Sequence, residues 1–234
     1  TMLSLDTSFE ELLRIRDEMR EFIQRLVTEK RERPTDDLLS GLVHGDADPA
    51  LDDDELVNIA LLLLIAGHET TANMFGLGTF ALLEHPEQLE ALRADPTLID
   101  GAVEELLRYL SIVHLGLARQ TREPVELGGR QIPADATVLI SLPVTNRDPG
   151  HWADPESLDV ARPRGPHLAF GHGVHQCLGQ QLARVEMTVG FTELLRRLPG
   201  LRLAAAPEDI PLRSHMVIYG VHSLPVAWDA AEAR

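Results

Sequence analysis

Residues 170–179 read Phe-Gly-His-Gly-Val-His-Gln-Cys-Leu-Gly, and Cys177 is the single cysteine of the 234-residue chain. Gly171, Gly173 and Gly179 remove side chains where a backbone must bend sharply or lie close to something. Cys177 stands just ahead of a stretch with helical periodicity, 180–198. The positive end of a helix favours the thiolate, which is the form of cysteine that binds metal. Three chemistries fit these residue types. A buried free cysteine would act as a small apolar residue, which leaves the glycines unexplained. His172, His175 and Cys177 have the spacing H-x2-H-x-C of half a zinc site, with no second half in the chain. An axial thiolate on haem iron would use the sulfur and the glycine-lined approach together.

Two other short patterns could do chemistry or hold it in place. Residues 66–71 read Ala-Gly-His-Glu-Thr-Thr. Glu69 and Thr70 put an acid beside an alcohol in an apolar stretch, Gly67 leaves a gap on one face, and Thr70 can bend a helix by bonding its own backbone. A gap beside a proton-relay pair suits activation of dioxygen; a buried glutamate paired to a neighbour accounts for the same residues. Glu105 and Arg108 are spaced i, i+3, so they share one helix face and can form an ion pair.

The elements that must carry these groups follow from periodicity. Residues 9–33 read as an amphipathic helix ended by Pro34, and a short helix follows around 35–43. Asp52, Asp53, Asp54 and Glu55 open a long helix of about 51–83, apolar nearly all round and so expected to cross the interior. Pro86 and Pro96 stand in the first turns of helices at about 86–93 and 97–110. Short strands follow between 117 and 142, then an irregular Pro-, Asp- and Arg-rich connection over 143–169. The helix at 180–198 is expected to turn Leu182, Val185, Val189, Leu194 and Leu198 inward, and the runs Met216–Val221 and Leu224–Trp228 to pair as a hairpin. The fold class is mainly α with a small β portion, in a single domain over 1–234.

Composition narrows the function. Hydrophobic residues make up 44%, as in a globular chain, and one cysteine excludes an internal disulfide and suits a reducing cytosol. A formal net charge of −16 argues against nucleic-acid binding. Val160 to Val185 nonetheless contains no Asp or Glu, and holds Arg162, Arg164, Arg184, His167, His172 and His175, a basic window that would suit an acidic partner. The apolar run 56–83 is long enough for a bilayer, but His68 and Glu69 in its middle would be costly in lipid, so no membrane span is expected. The chain opens on Thr1 rather than Met, as a piece of a longer protein would.

Taken together, these motifs resemble those of the cytochrome P450 monooxygenases. Residues 170–179 fill every fixed position of that family's haem signature F-G-x-G-x-H-x-C-x-G, residues 66–71 match its [A/G]-G-x-[D/E]-T-[T/S] pattern, and Glu105–Arg108 match its E-x-x-R. Asn146–Pro149 resemble the bacterial soluble type. One departure is plain. Where many members have an arginine in P-E-R-F that completes a triad with E-x-x-R, this chain has Ser157, and Arg162 and Arg147 are the candidate replacements.

The resemblance covers only the C-terminal part of the family pattern, and it implies haem b ligated by Cys177. Phe170, Gly171, Ala66 and Gly67 would border the haem, Arg119 and His175 would meet its propionates, and Glu69 and Thr70 would deliver protons. Glu105 and Arg108 would be structural. Val113, His114, Leu115, Val217 and Ile218 would line the substrate side. The implied reaction hydroxylates or epoxidises a lipophilic small molecule in the cytoplasm, using dioxygen and electrons from a ferredoxin and its reductase. The absent N-terminal portion would be a further partner. A peroxygenase or oxidative coupling enzyme on the same site, or a non-catalytic fragment without haem, are the alternatives.

Overall fold

A computed structural model describes residues 4–45, 50–114 and 116–229. Helix α1 (Phe9–Glu32) starts where the Ser8 hydroxyl accepts the Glu11 N–H, with Glu10 and Glu11 in its first turn and Lys30 and Arg31 in its last, each sign at the favourable end of the dipole. Helix α2 (Leu38–His44) is capped by Asp37, whose carboxylate accepts the Ser40 N–H at 2.8 Å. Bonds from Lys30, Thr35 and Ser40 hold that carboxyl well below the usual range. Helix α3 (Asp53–Glu84) opens on a reciprocal capping box: Asp52 Oδ1 accepts the Glu55 N–H at 2.8 Å, and Glu55 Oε2 accepts the Asp52 N–H at 2.9 Å.

Contacts divide the chain into two compact units, Thr1–Thr70 and Thr71–Arg234, with the boundary inside α3. In the first, Ile23 and Val27 of α1 and Leu56 and Val57 of α3 form a buried cluster, flanked by Leu39, Leu42, Val43 and Leu61. The long helix was expected to cross the interior throughout. Along its first half it does not: beyond Val57, Leu62 is 62% and Leu64 43% exposed.

The second unit holds the last turns of α3, α4 (Pro86–Ala94), a 3-10 turn at Pro96–Leu98, and α5 (Ile99–Leu110). Strands β1 (Leu117–Gln120) and β4 (Thr137–Ile140) pair antiparallel with Arg119 opposite Val138. Strands β2 (Val125–Leu127) and β3 (Arg130–Ile132) form a hairpin whose turn, Gly128–Gly129, has φ of 57° and 74°, values that glycine adopts freely. A short α6 (Leu142–Thr145) leads into the irregular connection, and α7 (Gln180–Arg197) follows the cysteine loop. The chain is mainly α with a small β portion.

Helices α3 and α7 interlock through glycines. Phe75 fills the space above Gly190, a Cβ on Gly78 would sit 2.8 Å from Phe191 Cζ, and the two phenyl rings lie 5.2 Å apart. This seat decides the inward face of α7. Met187 and Phe191 are buried, whereas Leu182, Val185 and Val189, expected inside, are 63%, 60% and 56% exposed. The tail differs as well. Val226–Ala227 (β6) pairs with Arg202–Leu203 (β5), and Val221 bridges Leu212, so the two apolar runs each find an earlier partner rather than each other.

Candidate active site

Glu105 and Arg108 are the best-anchored of the expected residues. Their side chains are 2% and 1% exposed, and they meet in a forked pair: Arg108 Nε donates to Glu105 Oε2 at 2.7 Å and Nη2 to Oε1 at 2.8 Å. The other guanidinium protons go to the carbonyls of Asn146 (3.0 Å), Pro155 (2.9 Å) and Ser157 (3.1 Å). A buried charge is tolerable only with such complete partnering. Glu105 Oε1 also accepts Arg162 Nε and the Asp159 N–H, each at 3.0 Å. The geometry therefore selects Arg162 as the third member of the triad. Ser157, in the expected slot, contributes its carbonyl. Arg147 is engaged elsewhere, with Glu156 at 3.0 Å and the Tyr109 carbonyl at 3.0 Å.

Helix α5 ends on Ser111 in a left-handed conformation (φ 43°), which turns the chain from the buried pair toward Ile112–His114. Asn146, 1% exposed, ties three segments: its Nδ2 donates to Ser111 Oγ at 2.8 Å, its Oδ1 accepts the Leu168 N–H at 2.7 Å, and its carbonyl receives Arg108. His114 stacks on Tyr219, centroids 4.2 Å apart and planes 15° apart, and the Tyr219 N–H donates to the Ile112 carbonyl at 2.8 Å. Burial pushes the His114 imidazole down, and the Arg147 charge adds to that, against the Leu110 carbonyl bond that raises it. The turn that carries Val113 is thus fastened to the tail that carries Val217. Ile218 is 6% exposed and packs in the core. Leu115 lies outside the described residues.

The cysteine loop is built on backbone. The Gly171 N–H donates to Leu168 O at 2.8 Å and the Cys177 N–H to Phe170 O at 2.9 Å, while Gly171 and Gly173 have φ of 69° and 82°. A Cβ on Gly171 would lie 3.6 Å from Leu117 Cδ1, which places the loop against β1, the strand of Arg119. Cys177 is a free, exposed thiol, with Val174 at 97% and Leu178 at 86% exposure beside it. His175 ends an exposed 3-10 turn at Gly173–His175. Among the described residues Arg119 forms no ion pair; its Nη1 donates to the Ala118 carbonyl at 2.9 Å. An accessible sulfur in an apolar rim, with a histidine in the same loop and an unpaired arginine on the adjoining strand, is a donor set that fits an iron porphyrin with carboxylate tails. No cluster of His, Cys, Asp or Glu suited to another metal occurs among the described residues.

Ala66, Gly67, Glu69 and Thr70 belong to the first unit, on α3. Thr70 Oγ1 donates to the Ala66 carbonyl at 2.7 Å, the backbone bond its position suggested. Nothing meets a Cβ built on Gly67 within 4 Å.

Sequence reading found no sign of Glu104, or of its pairing with His167 and Arg184. It took the acid-free window as a free basic surface, and the structure corrects this. Arg184 and His167 meet Glu104 at 2.6 and 3.0 Å, Arg162 meets Glu105, and Arg164 lies 3.5 Å from Asp100. The balancing acids come from α5, 57 to 80 residues earlier for Glu104 and Glu105, where a composition window cannot see them.

Known proteins place the chain in a family. The family model for cytochrome P450 matches residues 2–211. Cytochrome P450 105C1 of a Streptomyces species is 56% identical over 88% of this chain and 54% of the relative, and cytochrome P450-SU2 of Streptomyces griseolus 53% identical over 97% and 56%. The crystal structure of CYP105P1 in complex with filipin I superposes with a TM-score of 0.94 at 47% identity, covering 97% of this chain and 58% of that one; Rif16 gives 0.87 at 58% identity, covering 96% and 64%. The chain spans about half the length of the relatives it matches. It belongs to the cytochrome P450 family.

Proposed function

We propose that this chain carries the haem-thiolate part of a bacterial monooxygenase. The observation that carries the reading is the Cys177 loop: a free, exposed thiol held by the Phe170 carbonyl and two positive-φ glycines, braced against β1. Cys177 would ligate the iron of haem b as thiolate. Phe170 and Gly171 would border the ring, and Arg119 and His175 would meet the propionates as charge-assisted donors. Haem supplies binding and reductive cleavage of dioxygen when bound, and thiolate ligation favours the O–O cleavage. Ala66 and Gly67 leave an open helix face beside the Glu69 carboxylate. The Thr70 hydroxyl, whose proton is given to Ala66, presents lone pairs that can accept and pass on a proton.

The substrate we infer is a lipophilic small molecule that is hydroxylated or epoxidised, approached by Val113, His114 and Val217, with electrons from a ferredoxin and its reductase in the cytoplasm. The relatives' names, among them a pentalenic acid synthase and a vitamin D3 dihydroxylase, span unlike molecules, so none is transferred to this chain. The test is oxygen uptake by the haem-loaded chain given NADPH, a ferredoxin and a reductase. Uptake that requires the reductant and disappears in Cys177→Ser is expected. Turnover with hydrogen peroxide but not with reductant would replace the reading with a peroxygenase. Loss of haem on gel filtration would leave a helical module without catalysis.

A further inference from the structure

The carboxylate next to the triad has a separate set of partners. Glu104 is on α5 beside Glu105 but faces another way. Its Oε1 accepts Arg184 Nε at 2.6 Å, and its Oε2 accepts Arg184 Nη2 at 3.1 Å and His167 Nε2 at 3.0 Å. The His167 side chain is 4% exposed and Glu104 18%. Ala169 N–H donates to His167 Nδ1 at 3.2 Å, so the ring carries its proton on Nε2, toward Glu104. The Arg184 guanidinium, held by this carboxylate, lies 4.6 Å from the centroid of the Phe170 ring. The Phe170 carbonyl in turn accepts the Cys177 N–H. One carboxylate therefore reaches the cysteine loop by two routes, through His167 to the Ala169 backbone and through Arg184 to Phe170.

We propose that Glu104 is a positioning residue for Cys177, fixing the 167–170 stretch and through it the direction of the sulfur. The inference rests on the reading of Cys177 as the iron ligand. The charge of Glu104 is secured: burial would raise its carboxyl, but the hydrogen bonds from His167 and Arg184, with the Arg184 charge, bring it down to about 2. Asp100, one turn earlier on α5, is a built-in contrast. Among the described residues it meets Arg164 and Thr188, neither of which is bonded to Phe170.

The experiment is site-resolved amide hydrogen exchange on the chain itself, which needs no haem. Glu104→Gln and Arg184→Lys should each speed exchange at Cys177 and Ala169 by about tenfold, the effect of losing charge-assisted bonds in a local opening, and leave Phe191 inside α7 unchanged. Asp100→Asn should leave Cys177 unchanged. Unaltered exchange at Cys177, or equal acceleration at Phe191 in both variants, would overturn the proposal. On the haem-loaded protein, Glu104→Gln should bind as much haem but show less of the red-shifted Soret band of the ferrous carbon monoxide complex. A wild-type chain lacking that band would remove the ligand reading, and the exchange result would still decide the positioning.

Discussion

Two signature glutamates of this chain live in opposite circumstances. Glu105 is sealed, with Arg108 and Arg162 on its oxygens and a backbone amide beside them. Glu69 stands on a stretch of α3 where Ala66, Gly67 and His68 are exposed. The first has every bond a structural ion pair requires and no room for a substrate. The second is half-buried beside exposed Ala66 and Gly67 and next to the Thr70 hydroxyl, the setting that the proposed proton delivery needs. The contrast separates a residue that builds the fold from one that we propose delivers protons, although both were legible as acids within helices.

The sharpest way to break this comparison is at Glu105. Glu105→Ala leaves two arginines in the interior without their carboxylate and should cost about 3–5 kcal/mol in denaturant unfolding. A cost near that of an exposed pair would show that the triad is not the frame. Gly190→Ala comes next, because its methyl group would run into Phe75; about 1–3 kcal/mol of overpacking is expected, read as a lowered midpoint of thermal unfolding. Arg162→Ala and Arg147→Ala form a third comparison. Arg162 is 11% exposed and bonded to Glu105, whereas the Arg147–Glu156 pair is 35% and 73% exposed. The Arg162 change should be the more destabilising; equal losses would remove Arg162 from the triad. Thr70→Ala should be the mildest, within about 0.5 kcal/mol. A large loss there would make Thr70 structural and close the gap between the two regions.

Acid should separate Glu104 from its neutral variant in the same way. The Glu104 carboxyl is depressed to about 2, so its stabilising contribution is complete above the ordinary carboxylate range and is lost as pH falls through that range toward 2. Unfolding free energy of the wild type should therefore drop more steeply between about pH 4.5 and 2.5 than that of Glu104→Gln. Parallel curves would show that the carboxylate carries no charge-dependent bond.

Local signals account for what the sequence revealed. The acids at 52–55 marked the start of α3 because they cap it, and the i, i+3 spacing of Glu105 and Arg108 forecast their pairing. Cys177 and its glycines identified the loop because positive φ at Gly171 and Gly173 is a local demand. What escaped was set by distant partners. Helix α7 offers two apolar faces, and periodicity cannot tell that Phe191, seated on Gly78, wins the interior over Leu182, Val185 and Val189. The basic window looked free because its carboxylates belong to α5. Arg162 and Arg147 were equal candidates until the direction of the chain after Asp159 put Arg162 on Glu105.

The most direct measurement is the difference spectrum of the dithionite-reduced, carbon-monoxide-bound, haem-loaded chain, compared with Cys177→Ser. Thiolate ligation by Cys177 should give a strongly red-shifted Soret band in the wild type that the substitution abolishes. The same band in both proteins, or a haem complex whose wild-type spectrum lacks it, would contradict Cys177 as the thiolate ligand.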